Sequence, residues 1–297
     1  MLRELGWHVP QPEIPANEMN PRGFGEPEWA VRFNSMTLEW ANVHISDARP
    51  RAWELIDGRE TSAERRRALT AWLVRSIGAG RDVVIKDPRL TWLYRDWRDA
   101  AIEAGAEPSA VIVSRTPGET LASKLTVNPA RGVTGGLAGW INVCLRAERV
   151  TRGERRAFVT YGCVLADWES TVTTMASSLG SHDGLVVTAG ARGRIDSFID
   201  PSLHRSHADL DGLDLPDSIR ELADELWGLL QAAARSGSSL DADGAFDALR
   251  ERYEALYKTS EALVESSFGA VERRIQRQVR RLQDELASAR GDVQVEG

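Results

Sequence analysis

The chain has 297 residues, 42% hydrophobic and 27% charged, a balance that suits a globular protein with one large domain, or one domain plus an appendage. Its net charge of −7 supplies no bulk field for nucleic acid or an anionic membrane, so any anion site has to be local. Cys144 and Cys163 are too few for a disulfide framework or a cysteine zinc site, and no apolar run approaches the roughly 18 residues of a transmembrane helix. The opening MLRELGWHVP lacks the basic, apolar and small-residue zones of a signal peptide, which predicts a cytoplasmic protein with reduced thiols.

Residues 1–6 read as the tail of a helix closed by Gly6, and the Pro-, Asn- and Gly-rich stretch to Glu26 reads as a loop. Trp29, Phe33, Met36, Leu38 and Trp40 predict a helix over 27–41. Thr61 and Glu64 have capping-box spacing and open a helix through Ile77, with Leu69, Trp72, Leu73 and Ile77 as its buried stripe. The β-branched runs at 83–85 and 110–113 predict strands covered on both faces, and 158–160 is a weaker third. Helices near 92–104, 117–127, 134–153 and 164–179 lie between and after them. This alternation predicts an α/β domain with a parallel sheet and right-handed crossovers. Eight of the ten tryptophans fall in helical patterns, where packing anchors are the simplest reading.

The character changes after residue 210. Asp214, Leu215 and Pro216 make a helix start, and SGSSLDADG at 236–244 is a flexible break. A helix over 246–290 carries Val271, Ile275, Val279, Leu282 and Leu286 at heptad-like intervals, and would extend roughly 65 Å. Residues 1–210 are therefore read as a nucleotide-binding domain and 211–297 as a helical extension with a coiled-coil-like segment. That segment either pairs with a second copy in a homodimer or packs back on its own domain.

The chemistry concentrates in residues 81–125. Two strands deliver Lys86, Asp87 and Arg89, then Arg115 and Ser123, at their carboxyl ends, the ligand-binding edge of an open parallel sheet. An Arg fork leaving a strand and a hydroxyl two turns into the next helix can together hold a phosphate. The alternative is an Arg115 paired with a nearby carboxylate and a Ser123 that merely faces solvent. IKDPRL, taken alone, reads first as a structural ion-pair turn with Pro88 opening a helix. In a site, Lys86 would stabilise developing charge and Asp87 would orient it or accept a proton.

Five stretches in consistent order over about residues 1–207 resemble the sulfotransferases that use 3′-phosphoadenosine 5′-phosphosulfate. They are NPRGFGE at 20–26, IKDPRL at 85–90, VSRTPGETLASKL at 113–125, Tyr161 with Ala166, Asp167 and Trp168, and FIDPSLHRS at 198–206. The resemblance implies a three-layer parallel sheet with flanking helices, of the P-loop NTPase-like kind, and this nucleotide as co-substrate with no metal. It places Arg115 and Ser123 on the 3′-phosphate, Lys86 beside the sulfuryl group, and Arg205 and Ser206 in the element that closes over the nucleotide. Members often carry a His base shortly after that Lys. Here Asp87, Pro88 and Arg89 stand there, which makes Asp87 the candidate base and Arg89 its companion.

The family also opens with a strand and a Gly- or Ser/Thr-rich loop whose N–H groups cradle the 5′-phosphosulfate. Neither that loop nor GxxxxGK[ST] occurs in these residues. This leaves two expectations: a start codon assigned too far downstream, or a non-catalytic relative acting as an interaction or scaffold protein through its C-terminal helix. The acceptor of an active form would be a hydroxyl or amine on a small molecule, glycan or lipid. A metal site at His204 and His207 and a Ser hydrolase are disfavoured, the first for its loop context and the second for want of a GxSxG elbow.

Overall fold

The computed structural model describes residues 1–18, 20–57, 63–78, 82–127, 132–180, 187–199, 210–236 and 243–295. It divides into two compact units, Met1–Glu251 and Arg252–Gly297.

The first unit opens on a 3₁₀ turn, Leu2–Leu5, ended by Gly6 at φ 98°, a left-handed conformation that costs glycine least. Helix α1 (Glu28–Ala41) comes after the loop, then α2 (Glu54–Asp57), α3 (Ala63–Ile77) and α4 (Leu90–Glu103). Strand β1 (Ala110–Ser114) leads into α5 (Pro117–Val127) and α6 (Val133–Val150). Strand β2 (Arg156–Thr160) is followed by α7 (Tyr161–Ala166), α8 (Trp168–Ser178), α9 (Ala189–Phe198), α10 (Asp217–Ser236) and the start of α11 (Asp243–Val295).

The protein is thus mostly helical, around a small parallel sheet of two strands. Ala110 to Ser114 pair in register with Arg156 to Thr160. The expected strand at 83–85 is reduced to a single parallel bridge between Val83 and His8, with Val84 N–H donating to the His8 carbonyl at 2.8 Å. Its β-branched residues favour extended backbone, but pairing is decided by distant chain, and only one bridge forms. Coverage differs from expectation too. On β2, Ala157, Phe158 and Val159 are buried and α8 and α10 pack against the strand, whereas Val111 and Val113 of β1 are 38% and 62% exposed.

Two of the apolar clusters among the described residues bear on the site. In one, Trp29, Phe33, Trp72 and Trp97 pack face to face and edge to face, with centroids 4.8–6.5 Å apart, beside Leu69, Leu73, Trp92 and Leu93. In the other, Ala157, Val159, Trp168, Val172 and Ile195 pack together, with Leu2, Leu5 and Trp7 along the edge. The expected helix over 164–179 is interrupted at Asp167, whose carboxylate accepts from Ser170 N–H at 3.0 Å and caps α8. Helix α6 is buried along much of its length and meets the loop at 44–53. A Cβ on Gly139 would lie 2.4 Å from the Ser46 carbonyl oxygen, so only glycine permits that approach. Asn142 then fastens the contact, donating to the Asp47 and Arg49 carbonyls at 2.8 Å each.

Glu148 of α6 has a fully buried side chain that accepts from Arg152, Arg156 and Arg250, at 2.7, 3.4 and 3.2 Å. This knot ties α6, β2 and the first turns of α11 together, and α10 packs on both β2 and α6. In the second unit Ile275, Val279 and Leu282, three of the heptad-like positions, are exposed. Among the described residues no helix is long and apolar enough to cross a membrane.

Candidate functional site

Parallel register fixes which residues leave the two strands together. Ser114 pairs with Thr160, so the next residues, Arg115 and Tyr161, leave the sheet side by side. The Arg115 guanidinium carbon sits 4.0 Å from the centre of the Tyr161 ring, a cation–π contact. Arg115 is exposed, and no carboxylate among the described residues pairs with it. Thr116 caps the next helix, its hydroxyl accepting from Glu119 N–H at 3.2 Å, and Pro117 stands at the first helical position. Ser123 lies in the second turn of α5, exposed, and its hydroxyl makes no hydrogen bond among the described residues. Among the described residues, then, neither the Arg115 guanidinium nor the Ser123 hydroxyl spends a hydrogen-bond donor, and both follow β1 in the chain.

Lys86, Asp87 and Arg89 form a different arrangement. The Lys86 ammonium, on a side chain 55% exposed, bonds the nearly buried Glu26 carboxylate. Glu26 is positioned by its loop: Ile14 N–H donates to the Glu26 carbonyl at 2.9 Å, and Glu13 bridges Pro27. Arg22, in the same loop, donates to the Ser197 carbonyl at 3.2 Å and covers the Phe198 ring, which secures the loop to α9.

Asp87 has a side chain 0% exposed, and its oxygens are taken. Oδ1 accepts from Arg89 N–H and from Arg89 Nη1, both at 2.9 Å, and Oδ2 accepts from Asn34 Nδ2 at 2.9 Å. Asn34 in turn accepts from Trp97 Nε1 at 2.8 Å. A carboxylate enclosed this way shapes the turn and orients Arg89, and it offers no open oxygen to a substrate proton. The more accessible carboxylate in this cluster is Glu26. Among the described residues no hydrogen bond or ion pair joins Lys86, Asp87 or Arg89 to Arg115 or Ser123. Arg205 and Ser206, with His204 and His207, lie outside the described residues.

Two neighbours of these groups are not evident from local sequence. Nothing in the loop ties Glu26 to Lys86, 60 residues away. Tyr161 belongs beside Arg115 only once the strand register is known. No protein-family model, curated protein or solved structure matches the chain.

Proposed function

We propose that this chain is a sulfotransferase-like protein that binds the terminal 3′-phosphate of an adenosine nucleotide with Arg115 and Ser123. One observation carries the reading: Arg115 leaves β1 exposed, with no acid paired to it among the described residues, seated on the Tyr161 ring, in line with the helix that presents Ser123. A structural arginine would be expected on a carboxylate, and this one is held by its face. Among the described residues no acceptor takes its five N–H donors, which suits an incoming phosphate.

The finer fold in this proposal is the three-layer α/β arrangement, to which β1, β2 and the bridge at Val83 would all belong. The reaction is in-line transfer of a sulfuryl group from 3′-phosphoadenosine 5′-phosphosulfate to an acceptor hydroxyl or amine. The acceptor oxygen or nitrogen forms its bond to sulfur as the bond from sulfur to the 5′-phosphate oxygen breaks, and the electron pair leaves with the phosphate. Lys86 would neutralise charge on the transferring group, and Glu26 would take the acceptor's proton while Asp87 holds Arg89 in place. Donors for the 5′-phosphosulfate are not found among the described residues, so recognition of the 3′-phosphate end is the part of the reaction to test first.

Calorimetry with 3′-phosphoadenosine 5′-phosphate tests it. Binding that Arg115→Ala abolishes and Ser123→Ala weakens supports the assignment. Binding unchanged in Arg115→Ala would end it.

A second reading, an interaction protein, is favoured by the exposed Ile275, Val279 and Leu282 on α11. Three apolar side chains on one helical seam suit burial against a second copy. Sedimentation of the full chain beside a form ending at Glu251 decides it: a dimer that becomes a monomer on truncation supports the seam, and equal behaviour of the two forms counts against it.

A further inference from the structure

Arg146 lies on the buried side of α6, with 6% of its surface exposed, and among the described residues neither Nε nor Nη2 has a hydrogen-bond partner. Guanidinium does not shed its proton in a protein, so burial without acceptors leaves a full charge uncompensated. The Trp53 ring covers the guanidinium, 5.2 Å from centroid to carbon, and offsets only part of that cost.

The charged groups that act on Arg146 are Asp57, Arg95, Arg149 and Arg250. Asp57 is the acid among them, and its Oδ2 already receives Arg95 Nη1 at 3.2 Å. Arg250 is committed to Glu148 and Asp247. Arg95 and Arg149 are exposed, so the positive field extends toward solvent. Burial first, and then these like charges, outweigh Asp57 and pull the Arg146 value down to about 10, the mark of a cation lacking its counter-charge.

Nε and Nη2 form the side edge of a guanidinium, where two N–H bonds run parallel and match two oxygens of one group. We propose that Arg146 anchors a binding site for a small oxyanion group, carboxylate or phosphoryl, taken bidentately by Nε and Nη2 over Trp53, with Arg95 and Arg149 adding charge. The site shares no residue with the Arg115 and Ser123 pair and stands whether or not that pair binds a nucleotide.

The experiment is a thermal-denaturation titration of the full chain with inorganic phosphate and, separately, acetate, each against chloride at matched ionic strength. Wild type should gain melting temperature with one of the two anions beyond chloride; phosphate identifies a tetrahedral dianion and acetate a planar monoanion. Arg146→Met should lose the gain, and in chloride alone should melt at or above wild type, since it removes an uncompensated charge. Arg146→Lys keeps a point charge without the two-pronged edge and should bind at least about tenfold more weakly. Arg75→Ala, at an exposed arginine of α3 outside both sites, should respond like wild type. Absence of an anion-specific gain in wild type overturns the proposal. So does a gain that Arg146→Met keeps in full, which would place the anion elsewhere. An Arg146→Met chain that melts far lower in chloride, or fails to fold, also overturns it, because the guanidinium would then have an internal partner.

Discussion

Arg115 and Tyr161 meet with the guanidinium carbon 4.0 Å from the ring centre because each is the first residue past a pair of strands held in parallel register. The ring holds the cation by its face, and among the described residues no acceptor takes the N–H edges, which is how an aromatic can pre-position an arginine without competing with an anion.

That geometry makes the ring, not the hydroxyl, the useful part of Tyr161. Tyr161→Phe retains the ring and should bind 3′-phosphoadenosine 5′-phosphate with wild-type affinity. Tyr161→Leu removes the ring's quadrupole and should weaken binding about 2- to 5-fold, from the ~0.5–1 kcal/mol of an exposed cation–π contact. Isothermal calorimetry on the two variants reads the difference. Equal affinities would show that the ring merely fills space.

Asp87 separates two roles by stability rather than by activity. Its buried carboxylate accepts from Arg89 and Asn34, so Asp87→Ala takes the acceptor from the buried Asn34 amide and from the partly exposed Arg89 guanidinium. Unfolding in urea should show a loss of about 1–3 kcal/mol, the usual cost of leaving a buried donor without its acceptor. Glu26→Gln, in the more exposed pair with Lys86, should lose under about 1 kcal/mol. If Asp87→Ala proves as stable as wild type, its enclosed geometry is not what sets its role.

The contrast between these residues also shows how far local sequence reaches. Helices α1, α3, α4, α5, α6 and α10 are legible because apolar spacing, a proline or a cap marks each one locally. The break at Asp167 is not, because a single side-chain cap overrides a continuous helical pattern. The run at 83–85 reads as a strand since Val and Ile favour extended backbone, yet ladder formation depends on chain far away. Asp87 reads as a candidate base because nothing in IKDPRL announces Asn34, 53 residues upstream, as its partner. The elements that carry Arg115 and Ser123, β1 and α5, are legible for the opposite reason, since an apolar run and a proline mark them locally.

Asp47 predicts how the fold responds to acid. Burial alone would raise its carboxyl, but Arg49 and the N–H groups of His44 and Arg49 outweigh burial and hold it below the ordinary carboxylate value. Those contacts are 2.6–3.0 Å long and brace the loop that Asn142 fastens to α6. A depressed folded value means that the stabilisation is fully present above the unfolded value near ~3.9 and is lost as pH falls through the lower folded value. Urea midpoints should therefore be level from pH 7 to 5 and drop below about pH 4. Asp47→Asn should be less stable at pH 7 and show a shallower acid slope. An identical slope in the variant would remove Asp47 from the account.

The two thiols should react at very different rates. Burial pushes Cys144 on α6 up to about 12, so at pH 8 only about one molecule in ten thousand carries its thiolate, and the side chain is enclosed besides. Cys163, in the first turn of α7, is half-buried and receives a hydrogen bond from the Thr160 hydroxyl at 3.0 Å. An aromatic disulfide reagent at pH 8 should titrate one thiol in the native protein and the second only after denaturation. Cys163→Ser should abolish the native reaction and Cys144→Ser should leave it intact. Rapid labelling of both thiols would mean that α6 opens readily, which its buried Asn142 and Glu148 contacts argue against.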